Sequence, residues 1–176
     1  GSDDITFYQF SGAGTYTAGL AFGGQLVTPT KTAATETYNG SSWTNVASMN
    51  TARRNFGGTG TQTAAITANT NTELWNGSSW SETTDLNTPR TSVMTSSARQ
   101  VGGGAGSGNT SALCFGGYST DEVAITESWN GTSWTEVNDL NQARANLGGT
   151  GTQTAAIAFA GYNDGLSPAY PTNTEI

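Results

Sequence analysis

The chain repeats the sequence Thr35-Glu36-Thr37-Tyr38-Asn39-Gly40-Ser41-Ser42-Trp43 almost unchanged as residues 72–80 and 126–134, and begins it a fourth time at residue 174. Asn-Gly tolerates the positive φ of a two-residue hairpin loop, and the flanking Thr, Tyr and Trp favour extended backbone. Each copy therefore predicts a β-hairpin. Its recurrence along the chain indicates a repeat architecture.

Two further segments recur around each hairpin. Before it lies a short apolar run such as 63–68 or 154–161, and a run without polar alternation is typical of a strand covered on both faces. After it comes a link ending in arginine and then a glycine-rich stretch such as 55–60 or 146–151, where glycine indicates close backbone approach. Each unit is thus predicted to have four short strands, a to d, with the glycine-rich strand a innermost.

The two ends of the array and one long loop complete this assignment. Residues 5–10 align with a strand a, so the predicted order is a-b-c-d three times followed by a-b-c. Residues 100–108 are rich in glycine, but no lysine follows them as in a phosphate-binding loop. We interpret that stretch as an enlarged loop between strands a and b.

The repeated residues resemble the kelch repeat. In the first unit the resemblance rests on Phe22-Gly23-Gly24, Tyr38, Trp43 and the link 49–53, and the third unit matches through Gly116-Gly117, Trp129, Trp134 and the link 140–144. The chain departs from the kelch pattern in its shorter turn before the last Trp and in having Trp75 and Trp129 where Tyr is usual.

The resemblance implies an all-β fold, a β-propeller of about four four-stranded blades whose last blade lacks its outer strand. The whole chain, 1–176, would form one domain with units at about 5–48, 53–86, 90–140 and 144–176. The alternatives are an open arc completed by another chain and a truncated piece of a longer array. Degenerate arrays with Asn-Gly turns resemble those of bacteriophage structural proteins and bacterial surface proteins, which implies a virion or an extracellular, cell-surface location.

Composition excludes several functions. The net charge is -7 with a single lysine, Lys31, which argues against a nucleic-acid partner because such binding needs many Lys and Arg side chains. The chain has no histidine and one cysteine, Cys114, so we expect no metal site and no cofactor. The absence of a long apolar run argues against membrane insertion.

The recurring acidic residues are predicted to be structural. They occupy one position in every unit, whereas a glycosidase needs two unlike carboxylates in a single cleft. We therefore expect no enzymatic activity and expect these residues to lie between blades, paired with arginine or with strand N–H groups. They are Glu36, Glu73, Glu127 and Glu175.

The residues of the links are the candidate ligand- or partner-binding face. The resemblance places them on one face around the central channel, where guanidinium and amide donors could hold a carboxylate or sugar hydroxyls. The alternative is that each arginine binds a glutamate or carbonyls of the adjacent blade. The set is Asn50, Arg53, Arg54, Asn87, Arg90, Asn141 and Arg144.

The expected function is a structural and interaction module, such as a phage tail or fibre component or a cell-surface component, that serves as a rigid platform. Its expected partners are other protein subunits or copies of itself. The alternative is a glycan-binding propeller in which exposed aromatic rings stack on sugars. Burial of Trp75 and Trp129 between blades would remove the main support for that alternative.

Overall fold

A computed structural model describes residues 9–27, 30–90, 104–165, 169–170 and 173–176. In these residues the chain is all-β, as predicted, and forms four antiparallel sheets, none of which closes on itself. Within the same ranges no helix is long and apolar enough to cross a membrane.

The strands follow the predicted repeat order. In every sheet, neighbouring strands are consecutive in the chain and antiparallel. The first sheet contains β1 Ser11–Thr15, β2 Ala18–Phe22, β3 Thr35–Tyr38 and β4 Trp43–Val46; the second β5 Gly57–Gly60, β6 Ala65–Ala68, β7 Glu73–Trp75 and β8 Trp80–Glu82; the third β9 Gly104–Gly108, β10 Ser111–Phe115, β11 Thr126–Trp129 and β12 Trp134–Glu136; and the fourth β13 Gly148–Thr152, β14 Ala155–Phe159 and β15 Thr174–Glu175.

Two predicted boundaries are wrong. The first strand of the first sheet is Ser11–Thr15 rather than 5–10, of which 5–8 lie outside the described residues. Gly104–Gly108 is the first strand of the third sheet rather than part of a loop, and 100–103 lie outside the described residues. Both strands share glycines at alternate positions with β5 and β13, and this feature, rather than apolar content, marks the first strand of each sheet.

The hairpin turns are longer than predicted. Tyr38 pairs with Trp43, so the loop has four residues instead of two. The side-chain Oδ1 of Asn39 accepts hydrogen bonds from the N–H groups of Ser41 and Ser42, both at 3.0 Å, and Gly40 has a φ of 95°. Asn therefore stabilises the turn through its side chain, while Gly supplies the positive φ.

The four sheets are joined through their first strands and through two apolar clusters, one across the first three sheets and one between the third and fourth. β1 packs beside β5, β5 beside β9, and β9 beside β13. A Cβ on Gly58 of β5 would lie only 2.7 Å from a ring carbon of Phe22, so glycine is required where these strands approach. Phe22 also packs against Trp80 of the second sheet, with ring centroids 4.9 Å apart. Strand b of one sheet thus packs on the strand-d Trp of the next.

Candidate functional site

The most elaborate polar arrangement surrounds Glu127 on β11. One carboxylate oxygen accepts hydrogen bonds from the Asn87 backbone N–H at 2.7 Å and from its side-chain Nδ2 at 2.9 Å. The other oxygen accepts from the Thr88 N–H at 3.2 Å and from the Arg90 guanidinium. The side chains of Glu127 and Arg90 are both fully buried.

The same cluster occurs at the other two junctions between sheets. Glu73 accepts from Asn50, Thr51 and Arg53. Glu175 accepts from the backbone and side chain of Asn141 and from Arg144. In each case the donors come from the link that leaves one sheet and the acceptor lies on strand c of the next. We call these three arrangements the junction clusters.

The local sequence explains how a link reaches the carboxylate. Each link begins with a large apolar residue, and Met49 and Leu86 are buried in the core. The next residue is Asn, whose N–H and side-chain amide both point to one oxygen, and Arg three positions later reaches the other. The spacing apolar-Asn-x-x-Arg therefore delivers both kinds of donor to one carboxylate.

Burial determines the electrostatics of the clusters. Desolvation lowers the pKa of the Arg53 guanidinium, and the negative charge of Glu73 opposes that shift. Burial also lowers the pKa of Arg144. A buried guanidinium without a partner would be costly, so the carboxylate and its neutral donors form one interdependent unit.

The structure places the predicted binding residues as follows. Arg53, Arg90 and Arg144 are buried in the junction clusters, and Asn50, Asn87 and Asn141 donate to the same glutamates. Arg54 contacts the side chain of Gln25. Glu36 occupies the equivalent strand-c position in the first sheet and is half-buried. A ligand role for this face stays a prediction, and the donors named here are already engaged by the protein.

The repeated tryptophans are core residues. Trp75 and Trp129 are fully buried, and their indole N–H groups donate to the carbonyls of Gln62 and Asn109 at 2.8 and 2.9 Å. Buried indoles with satisfied N–H groups are typical of structural packing. They are not available to stack on a sugar ring.

A third arrangement was missed by sequence reasoning. Carboxylate oxygens of Asp121, Glu122 and Asp164 lie within 4.8 Å of one another. Burial raises the pKa of Glu122, and a hydrogen bond with Asp121 raises it further. The adjacent Asp121-Glu122 pair was visible in the sequence, but nothing there indicates that Asp164 returns to it. Exposed acidic groups often cluster in this way without a metal, so we assign no ion to them.

Comparison with models of protein families finds none that matches this chain. Comparison with curated protein sequences also finds no match.

Proposed function

We propose that this chain is a non-enzymatic structural module, a kelch-like propeller segment that assembles with further copies of itself into a rigid platform at a virion or cell surface. The proposal rests on the positions at which large apolar side chains are exposed to solvent. Phe10, Trp43 and Phe159 lie in the two outer sheets of the row, at positions whose internal equivalents are buried.

The internal junction between the first two sheets shows what such positions normally contact. Phe22 on strand b packs against Phe56, which precedes strand a of the next sheet, with ring centroids 5.9 Å apart. It also packs against Trp80 on strand d of that sheet. All three side chains are buried.

The outer sheets each carry one half of this junction. In the first sheet, Phe10 and Trp43 are equivalent to Phe56 and Trp80, and they are 49% and 52% exposed. We call them the first-sheet face. In the last sheet, Phe159 is equivalent to Phe22 and is 42% exposed, and Ile157 beside it is also exposed. We call these two the last-sheet face.

A second copy offers each face the partner it has inside the chain. Its Phe10 and Trp43 would pack on Phe159 as Phe56 and Trp80 pack on Phe22. Taking a large apolar side chain from full exposure to full burial contributes about 1.5–3 kcal/mol, and these side chains, already about half buried, would each contribute roughly half of that. Because the two faces differ, the contact is head-to-tail, and repetition closes a ring or extends an array.

The junction clusters support a non-enzymatic role. Their repeated arginines and carboxylates are held in ion pairs that join sheets. The glycan-binding alternative has weaker support because Trp75 and Trp129 are buried. The aromatic rings that stay accessible are the exposed Tyr16 and Tyr170 and the partly exposed pair Tyr38 and Trp43, whose ring centroids are 5.0 Å apart. The virion or cell-surface location rests on the kelch-like resemblance.

Light scattering coupled to size-exclusion chromatography tests the assembly. We expect the chain to elute with a mass that is a multiple of 18.1 kDa. Trp43→Asp and Phe159→Asp should each be monomeric, whereas Val27→Asp, at an exposed position that belongs to neither face, should assemble normally. A monomeric wild-type chain at high micromolar concentration would overturn the proposal.

Mixing the two monomeric variants tests the head-to-tail geometry. The Trp43→Asp variant keeps its last-sheet face, and the Phe159→Asp variant keeps its first-sheet face. Their mixture should form a dimer through one intact junction, and neither variant should do so alone. If the mixture stays monomeric, the two faces are not partners.

A further inference from the structure

The hairpin turns between strands c and d each surround an exposed Asn side chain with hydrogen-bond donors. Oδ1 of Asn39 accepts from the N–H groups of Ser41 and Ser42, both at 3.0 Å, and from the Ser41 hydroxyl at 2.9 Å. Oδ1 of Asn76 accepts from the equivalent two N–H groups and hydroxyl, all at 2.9 Å. We call these three groups the turn donors.

The third turn lacks one of the turn donors. Oδ1 of Asn130 accepts from the N–H groups of Thr132 and Ser133, both at 2.9 Å. Within the described residues the Thr132 hydroxyl makes no hydrogen bond to this oxygen. The chain therefore contains two turns with a hydroxyl donor and one without it, on closely similar backbones.

The glycine after each Asn presents an unengaged backbone nitrogen. Gly40, Gly77 and Gly131 have φ values of 95°, 94° and 97°, and in the described part of the chain no acceptor reaches their N–H groups. Having no side chain, glycine leaves its nitrogen open to approach. Attack of this nitrogen on the side-chain carbonyl carbon of the preceding Asn is intramolecular and closes a small ring, and such reactions have high effective molarities.

We propose that these Asn-Gly turns are sites of spontaneous self-modification, in which Asn39 and Asn76, and more slowly Asn130, are converted into aspartate or isoaspartate. The Gly40 nitrogen loses its proton to hydroxide and bonds to the side-chain carbonyl carbon of Asn39. The bond between that carbon and Nδ2 then breaks, and Nδ2 leaves as ammonia after taking a proton from water. Water adds to one carbonyl of the resulting succinimide and breaks its bond to the nitrogen, which opens the ring.

The turn donors act on the oxygen at which charge develops. When the nitrogen adds to the carbonyl carbon, Oδ1 becomes an oxyanion, and donors already directed at it stabilise that charge more than they stabilise the neutral amide. The Ser41 hydroxyl adds a third donor to the two N–H groups. One neutral hydrogen bond at a solvent-exposed site corresponds to about a threefold to tenfold difference in rate.

The modification adds charge to a part of the fold that has none. Each of these turns lies against the turn between strands a and b of its own sheet, so that a Cβ on Gly40 or Gly77 would lie 3.6 Å or 3.3 Å from the carbonyl oxygen of Thr17 or Thr63. Each conversion adds one negative charge to a chain whose net charge is -7. The described turns of both kinds contain no charged residue; they are 15–18, 39–42, 60–64, 76–79, 108–111, 130–133 and 151–155.

Peptide mapping by mass spectrometry tests the proposal on the native chain. The chain is incubated at mildly alkaline pH, and conversion at each Asn is followed over several weeks. We expect Asn39 and Asn76 to convert about threefold to tenfold faster than Asn130. Asn109 is the control within the same chain, because the β-branched Thr110 follows it and hinders the nitrogen, so it should stay intact.

Variants of the first turn separate the effect of the hydroxyl from the effect of the local sequence. Ser41→Ala should slow conversion of Asn39 about threefold to tenfold and leave Asn76 unchanged. Ser42→Ala is the matched control, since its hydroxyl lies 3.5 Å from Oδ1, and it should change the rate by less than about twofold. Synthetic peptides of residues 36–44 with and without Ser41→Ala should convert equally fast, because they lack the fixed turn.

The two sets of measurements keep the proposal open to refutation. Should Ser41→Ala fail to fold, the three turns of the unaltered chain still decide the question. No conversion of Asn39, conversion of Asn130 as fast as that of Asn39, an unchanged rate in a folded Ser41→Ala variant, or an equal slowing in the peptides would overturn the proposal. None of these readouts depends on whether the chain is a monomer or an assembly.

Discussion

Replacing Glu127 by alanine removes the acceptor at the centre of one junction cluster. The Arg90 guanidinium then remains fully buried without its carboxylate, and the N–H groups of Asn87 and Thr88 lose their partner. Removing one member of a buried ion pair typically costs about 3–5 kcal/mol, and each orphaned donor adds to that cost. We expect the free energy of unfolding to fall by at least about 4 kcal/mol.

Urea denaturation followed by tryptophan fluorescence measures this change. Thermal unfolding should show a midpoint lowered by on the order of 10 °C for a chain of this size. Glu136 is the matched control, since it lies directly opposite Glu127 on β12 and is exposed. Glu136→Ala should change stability by less than about 0.5 kcal/mol.

A double replacement separates the cost of an unpaired charge from the cost of lost packing. Arg90→Leu combined with Glu127→Leu leaves no buried charge, so it should be less destabilising than Glu127→Ala alone. The reasoning is refuted if Glu127→Ala costs less than about 1 kcal/mol, or if it costs no more than Glu136→Ala.

Three further outcomes are expected. Gly60→Ala should lower the free energy of unfolding by more than about 2 kcal/mol in urea denaturation, because φ at Gly60 is 128° and the new Cβ would lie 2.3 Å from the Ala64 carbonyl oxygen. Gly40→Ala should lower it by only about 1–2 kcal/mol, because the nearest atom to its new Cβ would lie 3.6 Å away. The raised pKa of Glu122 means that the folded state binds its proton more tightly than the unfolded state does. The stability of the wild type relative to Glu122→Gln should therefore rise as pH falls from about 7 to about 4. A difference in stability between the two proteins that does not change with pH would contradict this. Burial raises the pKa of Cys114, so a thiol reagent should label it only in denaturant; rapid labelling of the native chain would contradict its burial.

The order of strands could be predicted from the sequence because the local signals recur. Asn-Gly with flanking Thr and Trp marks the same hairpin three times, and the truncated copy at residue 174 predicts a last sheet with three strands. The recurrence of one Glu and one Arg per unit also indicated that their roles are repeated. Periodicity of this kind needs no knowledge of long-range contacts.

Features that depend on distant residues were not predictable in the same way. The first strand of the first sheet was misplaced because residues 5–10 look more strand-like than Ser11–Thr15, although glycine is what that crowded position requires. Nor does the spacing of the links reveal that Arg90 is fully buried, since burial is produced by the neighbouring sheet. The approach of Asp164 to Glu122 likewise arises from loops of two different units.

The junction clusters bear on how an array of this kind can change its length. Each unit carries an acceptor on strand c for the unit before it and donors in its link for the unit after it, so every internal unit presents the same two ends to its neighbours. After duplication or deletion of one unit, the new junction between neighbouring units would therefore contain a complete junction cluster without any compensating substitution. In repeat proteins the stability is approximately a sum of unit and neighbour terms, so gene duplication could lengthen such a chain in steps of one unit, each step leaving the earlier contacts unchanged.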